Sequence, residues 1–197
     1  MAGDRRNTPI ILASSSPRRI ELLRSLGLEF QVVESGIQEE SSPSVPICDL
    51  VKQNAFLKAR EVAKRFETGL VIGADTVVRQ ERRIFGKPRD IEDARRMLHE
   101  LVGKTHQVHS GVAVVRIADA LEKTACAVTD VTFRPLSDEQ IERYLQMIDP
   151  LDKAGAYAIQ GPGGIIVEKI CGCYYNVVGL PLTVLDGLLS HFGVSLL

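Results

Sequence analysis

Three serines, a proline and two arginines, Ser14-Ser15-Ser16-Pro17-Arg18-Arg19, follow a short apolar stretch and open a helical pattern. Ser16 takes the N-cap place and Pro17 the first helical position. Arg18 and Arg19 then stand in the first turn, where the helix dipole already presents about half a positive charge and disfavours cations. A bound anion offsets that cost. Backbone N–H groups, hydroxyls and two guanidinium forks meeting at a helix start make a phosphate site, and a merely well-capped helix is the plainer alternative.

Asp75 interrupts an otherwise apolar strand, with Leu70-Val71-Ile72 before it and Val77-Val78 after it. A carboxylate inside a buried strand needs a metal, a cation or a hydrogen-bond network to take its charge. Lys87, between Gly86 and Pro88, has a backbone fixed in a turn and an ammonium that can point at a ligand, although an exposed turn lysine is the commoner outcome. Lys58 lies on a helical stretch beside Ala55 and Ala59, with Asn54 one turn earlier; small neighbours let a helix approach a site, but helical lysines are usually solvated, so spacing alone does not single it out. Glu39 and Glu40 open a Ser/Pro-rich loop over residues 39–46, where a solvated acidic pair is the default.

A glycine-bearing segment, residues 152–161, runs Asp152-Lys153-Ala154-Gly155-Ala156-Tyr157-Ala158-Ile159-Gln160-Gly161. Its glycines permit close approach to a ligand, and the Gln160 amide carries a donor and an acceptor that match the imide edge of a pyrimidine such as uracil, although the flipped amide serves cytosine equally and selectivity needs neighbours that fix its orientation. His106 and His109 face opposite ways on a strand and read as core or surface residues before they read as metal ligands. Four cysteines, Cys48, Cys126, Cys171 and Cys173, are few for the length and read as reduced, buried thiols rather than a disulfide framework.

These residues are positioned by alternating strand and helix patterns, which favour an α/β fold. Strands are predicted over 10–13, 30–33, 70–78, 108–117, 124–134 and 165–171, and a hairpin turn over 79–82 returns through Ile84. Helices are predicted over 18–26, closed by Gly27, and over 47–66, 90–101 capped by Asp90, 137–147 capped by Ser137, and 181–189. The strands 108–117 and 124–134 alternate polar with apolar residues, so an antiparallel pair with one wet face and a mixed sheet are expected. Residues 1–9 are charged and read as a flexible terminus, with a single domain from 10 to 197.

The chain has 197 residues, of which 45% are hydrophobic and 25% charged, an ordinary globular composition that excludes disorder and fibrous repeats. Lys and Arg total 24 against 25 Asp and Glu, a formal net charge of −1, so no global positive field exists to hold a long nucleic acid. Trp is absent and aromatics are 5%, which leaves no stacking platform for single strands. No apolar run is long enough to span a bilayer and the N-terminus lacks a secretory core, so a cytoplasmic protein with no membrane partner is expected.

Taken in order, Leu12-Ala13-Ser14-Ser15-Ser16-Pro17-Arg18-Arg19, Gly73-Ala74-Asp75-Thr76, Gly86-Lys87-Pro88, residues 152–161 and Asn176-Val177-Val178-Gly179-Leu180-Pro181 resemble the Maf family of nucleoside triphosphate pyrophosphatases. The resemblance implies a mixed, twisted sheet with flanking helices, similar to inosine triphosphate pyrophosphatases, in two lobes around a central cleft, often as a homodimer. It implies hydrolysis of a nucleoside triphosphate to monophosphate and pyrophosphate with a divalent cation such as magnesium or manganese. The Ala-Tyr-x-Ile-Gln stretch looks like the subgroup acting on dTTP and UTP, with modified pyrimidine nucleotides as further candidates, rather than the sibling subgroup acting on 7-methyl-GTP. By motif, Asp75 matches the proton acceptor, and Arg18, Thr76 and Gln160 match positions tied to base choice. Ser14, Arg19, Glu39, Lys58, Lys87 and Asp152 match residues around the phosphates and the metal, which Asp75 and Glu39 would hold. Ala158 departs from the family's usual Gly, and its methyl is expected to narrow the base pocket. A non-catalytic nucleotide-binding regulator of septum formation is the competing class.

Overall fold

The computed structural model describes residues 8–40 and 45–197. The first seven positions of the expected flexible terminus, and Ser41, Ser42, Pro43 and Ser44 of the Ser/Pro loop, lie outside the described residues.

The chain runs through β1 (Ile10–Ala13), α1 (Pro17–Ser25), β2 (Gln31–Val32), α2 (Ile47–Ala63), β3 (Leu70–Gln80), β4 (Arg83–Phe85) and α3 (Ile91–Leu101). It continues through β5 (Thr105–Arg116), β6 (Glu122–Phe133), α4 (Asp138–Met147), β7 (Val167–Cys171), α5 (Tyr174–Val178) and α6 (Leu182–Ser190). Two 3-10 turns, Ala154–Ala156 and Gly161–Ile166, fill the glycine-bearing segment between α4 and β7. The strands form one seven-stranded sheet in the order β2-β1-β3-β5-β6-β7, with β4 beside β3. β1 is parallel to β2 and β3, whereas β4 is antiparallel to β3 and β7 to β6, so the sheet is mixed, as expected.

Two compact units divide the chain. The first takes residues up to 75, then 110–127 and 179–197, and the second takes 76–109 and 128–178. In the first, α2 buries Ala55, Ala59 and Val62 against Ile11, Val71, Ala113 and Val115. The helix lies directly on the strands because two of them offer glycine beneath it. A Cβ on Gly73 would stand 2.0 Å from the Ala55 carbonyl oxygen, and one on Gly111 2.2 Å from that of Val51. In the second unit, Phe85, Leu98, Leu101, Phe133, Ile141, Tyr144 and Ile166 form the core. Asp90 caps α3 by accepting from Asp93 N at 2.7 Å, and Ser137 with Gln140 builds a capping box on α4.

Several expectations need correction. Ser16 occupies the N-cap position of α1 but makes no side-chain cap bond; its own N–H donates instead to Ser14 Oγ at 3.2 Å. β5 has no wet face, since every residue from Val108 to Val115 is buried, and only β6 keeps the alternation, over residues 128–133. Packing of α2 on Gly111, Ala113 and Val115 covers a face that the polar residues of the pattern would have left to solvent. Cys48 and Cys126 are joined in a disulfide, Cα to Cα 5.6 Å, so these two are not the reduced thiols expected. The pairing is hidden at a sequence separation of 78 and arises because α2 brings Cys48 down onto β6. Cys171 and Cys173 are free thiols, but Cys171 is exposed and Cys173 half-buried rather than enclosed. Among the described residues, no helix is long and apolar enough to cross a membrane.

Candidate active site

Asp75 sits in the middle of β3, and its side chain is 4% exposed. Both carboxylate oxygens are engaged. Lys58 Nζ donates to Oδ1 at 2.8 Å, and Asn54 Nδ2 donates to Oδ2 at 3.0 Å. Lys58 and Asn54 stand four residues apart on α2, so one helix face delivers both groups. They reach β3 because Gly73, two residues before Asp75 and therefore on the same face, has no side chain to hold the helix away.

Lys58 also donates to Glu39 Oε1 at 2.6 Å and approaches the Ala74 carbonyl at 3.4 Å. One buried ammonium thus bridges a buried carboxylate and a half-exposed one. This satisfies the requirement that a charge removed from water be paired and hydrogen-bonded.

At the start of α1, Arg19 is a clasp on three segments. Its Nε donates to the Gly179 carbonyl at 2.8 Å, and one terminal nitrogen donates to the Ala74 carbonyl at 3.0 Å and to Ser14 Oγ at 3.3 Å. Burial holds the Arg19 guanidinium below its ordinary range; the charge of Asp75 pushes back, Arg18 lowers it further, and Glu39 raises it. Two adjacent guanidinium groups with no acidic residue in the first turn of α1 leave that helix start strongly positive.

Ser14, Arg18, Arg19, Glu39, Lys58 and Asp75 therefore belong to the first unit, where Ser14, Arg19, Lys58, Glu39 and Asp75 form one continuous network. Thr76, Lys87, Asp152 and Gln160 belong to the second unit. Thr76 is half-buried on β3, and Lys87 is exposed in the turn between β4 and α3. Asp152 pairs with Lys153 next to it, and the Gly155 N–H donates to the Gly86 carbonyl at 3.0 Å, which ties this segment to the Lys87 turn. Gln160 is half-buried where the second 3-10 turn begins. That segment is anchored by Tyr144 of α4, whose hydroxyl accepts from Ala158 N at 3.1 Å and donates to the Gly163 carbonyl at 3.0 Å. The Ala158 methyl lies against Gly163, where a Cβ would stand 2.6 Å from it.

Sequence reasoning placed Asn54 only as a neighbour of Lys58 and missed the carbonyls of Ala74 and Gly179. The four-residue spacing of Asn54 and Lys58 was the available signal. His106 is buried, its Nε2 3.1 Å from the Tyr157 hydroxyl, and burial pushes its pKa down to about 4, in keeping with a core role.

The dTTP/UTP pyrophosphatase of Dictyoglomus turgidum is 50% identical over 190 residues, covering 95% of this chain and 98% of the relative. That of Acetivibrio thermocellus is 47% identical over 195 residues, covering 95% and 97%. Among solved structures, the Staphylococcus aureus Ham1 protein aligns with a TM-score of 0.43 at 15% identity, covering 64% of this chain and 72% of that one. A family model described as Maf-like protein matches residues 9–192, and with that match spanning almost the whole sequence the chain belongs to the Maf family.

Proposed function

We propose that this protein hydrolyses dTTP and UTP, together with modified pyrimidine nucleotides of the same shape, to the nucleoside monophosphate and pyrophosphate. Full-length relatives at 45–50% identity are named dTTP/UTP pyrophosphatases, which supports the reading. The observation that carries it is Asp75, a buried carboxylate held through both oxygens by Lys58 and Asn54 in a network that includes Arg19. A buried acid among cations is what a hydrolase needs and a passive nucleotide binder does not.

In this reading Asp75 orients the water that attacks the α-phosphorus and accepts its proton. Arg19 and Lys58 supply positive charge where the leaving pyrophosphate develops negative charge, with Lys87 as a third cation. Ser14 and the Arg18 guanidinium hold the phosphates at the start of α1. Gln160 pairs with the imide edge of the base, Thr76 and Arg18 contribute to base choice, and Asp152 supports the same region of the second unit.

The donor set fits a hard divalent cation, because Glu39 and Asp75 place carboxylate oxygens 2.6 and 2.8 Å from one Lys58 nitrogen. Those two carboxylates would hold a magnesium or manganese ion, which would supply Lewis-acid polarisation of phosphate oxygens.

The test is pyrophosphate release from dTTP, UTP, CTP and GTP with Mg²⁺. The pyrimidine substrates are expected to turn over, and Asp75→Asn is expected to lower kcat by at least about a thousandfold while circular dichroism stays unchanged. Near-normal release by that variant would refute the assignment, and no release by the unaltered protein would favour the regulatory reading. A homodimer, a cytoplasmic location where nucleoside triphosphates are plentiful, and no stable binding of nucleic acid belong to the same proposal; the formal charge of −1 supports the last of these.

A further inference from the structure

Asn54 is 2% exposed, lies near the middle of α2, and makes three polar contacts. Its Nδ2 donates to Asp75 Oδ2 at 3.0 Å and to the Glu40 carbonyl at 3.0 Å, and its Oδ1 accepts from Glu40 N at 2.9 Å. The chemistry of the partners fixes the amide orientation. A carboxylate oxygen and a carbonyl oxygen only accept, so the atom facing both must be the NH2 group, and the remaining oxygen meets the one N–H on offer. Both amide hydrogens are used, one on the carboxylate and one on the peptide.

Glu40 directly follows Glu39, so Asn54 ties the Asp75 carboxylate to the backbone that carries the second carboxylate. Lys58 makes a parallel tie through side chains, but its ammonium is a cation that the reaction draws on, and the Glu39 side chain is 57% exposed. A link made through the Glu40 backbone does not loosen when Lys58 or Glu39 turns to a ligand.

We propose that Asn54 is a positioning residue that keeps the carboxylates of Asp75 and Glu39 facing one cation site, whether a lysine ammonium or a divalent ion fills it. This inference rests on the reading of Asp75 and Glu39 given above. It requires that the Asn54 amide act through the two acids and not on the nucleotide.

The test uses Asn54→Asp, which keeps the shape but faces Asp75 with an acceptor, and Asn54→Ala, which removes all three contacts. Steady-state kinetics on dTTP are expected to show kcat lowered about a hundredfold in both, with KM changed by less than about threefold. Mn²⁺ binding to the nucleotide-free protein, read by electron paramagnetic resonance, is expected to weaken about tenfold in Asn54→Ala. A lower melting temperature with kcat and Mn²⁺ affinity at the level of the unaltered protein would mean that Asn54 only supports the fold, and would overturn the inference. If neither variant folds, hydrogen exchange on the unaltered protein decides: a protected Glu40 amide upholds the tie, and a freely exchanging one overturns it. An unaltered protein that releases no pyrophosphate yet binds Mn²⁺ more tightly than Asn54→Ala would sink the reading of the reaction while upholding the positioning role.

Discussion

A methyl group on Gly73 would stand 2.0 Å from the carbonyl oxygen of Ala55, so β3 and α2 touch backbone to backbone just before Asp75. Gly111 makes the same kind of contact with Val51 one strand over. The helix cannot settle closer or farther without moving its two functional side chains away from the carboxylate. Gly73→Ala is therefore expected to cost about 3 kcal/mol or more in urea denaturation and to lower kcat as well. Gly187→Ala, on α6 with nothing within 4 Å of the added methyl, is expected to raise stability by up to about 1 kcal/mol.

Removing the bridging ammonium leaves Asp75 charged, buried and short of a partner. Lys58→Met is expected to lose about 3 kcal/mol of stability and most of the activity. Adding Asp75→Asn to it should return part of the stability and none of the turnover, a non-additivity that a double-mutant cycle measures.

The Tyr144 hydroxyl fastens the segment that carries Gln160 at Ala158 and Gly163. Tyr144→Phe keeps the ring in its core and removes both bonds, so a loss of about 1–2 kcal/mol is expected. Because Gln160 sits two residues beyond Ala158, KM for dTTP should rise several-fold while kcat changes little; an unchanged KM would separate this anchor from base binding.

Cys48 and Cys126 close a stretch of 78 residues. Reduction, or Cys48→Ser, is expected to lower stability by about 4 kcal/mol, read as a lower melting temperature that an added reductant no longer shifts in the variant. Structural disulfides are uncommon in reducing compartments, so the redox state of this pair in cell extracts, trapped by alkylation, also bears on where the protein resides.

His106 should make the protein acid-sensitive. Burial lowers its folded pKa from 6.5 to about 4, so the unfolded chain takes up the proton first as pH falls. Its neutral form contributes stability that is complete above pH 6.5 and is lost progressively toward pH 4, about 3 kcal/mol in all. His106→Phe is expected to flatten that part of the stability profile, leaving a shallower slope from His109, whose pKa burial also lowers.

Local signals carried much of the fold. Asp90 and Ser137 mark helix starts that the structure uses as caps, and the turn after Arg79 does return through Ile84. Asp75 stood out because a carboxylate in an apolar strand needs a partner, whereas Lys58 did not stand out from its spacing beside Ala55 and Ala59 and entered only through the family resemblance. What the sequence hid are the consequences of long-range packing. The burial of β5 on both faces depends on where α2 lands, and the Cys48–Cys126 bond depends on the same crossing. Asn54 gave no composition or spacing cue beyond its place one turn before Lys58, and its partner Glu40 lies in a loop with no pattern of its own.

The Arg19 clasp closes on the carbonyl of Gly179, and that residue begins the last of the three separate stretches making up the first unit. During synthesis, therefore, the ribosome must deliver the chain through Gly179 before this arginine can find its final acceptor. A message cut short upstream of Gly179 would yield the acid, the lysine and the Ala74 and Ser14 partners but leave the Arg19 Nε without its acceptor, so truncated products should lose activity.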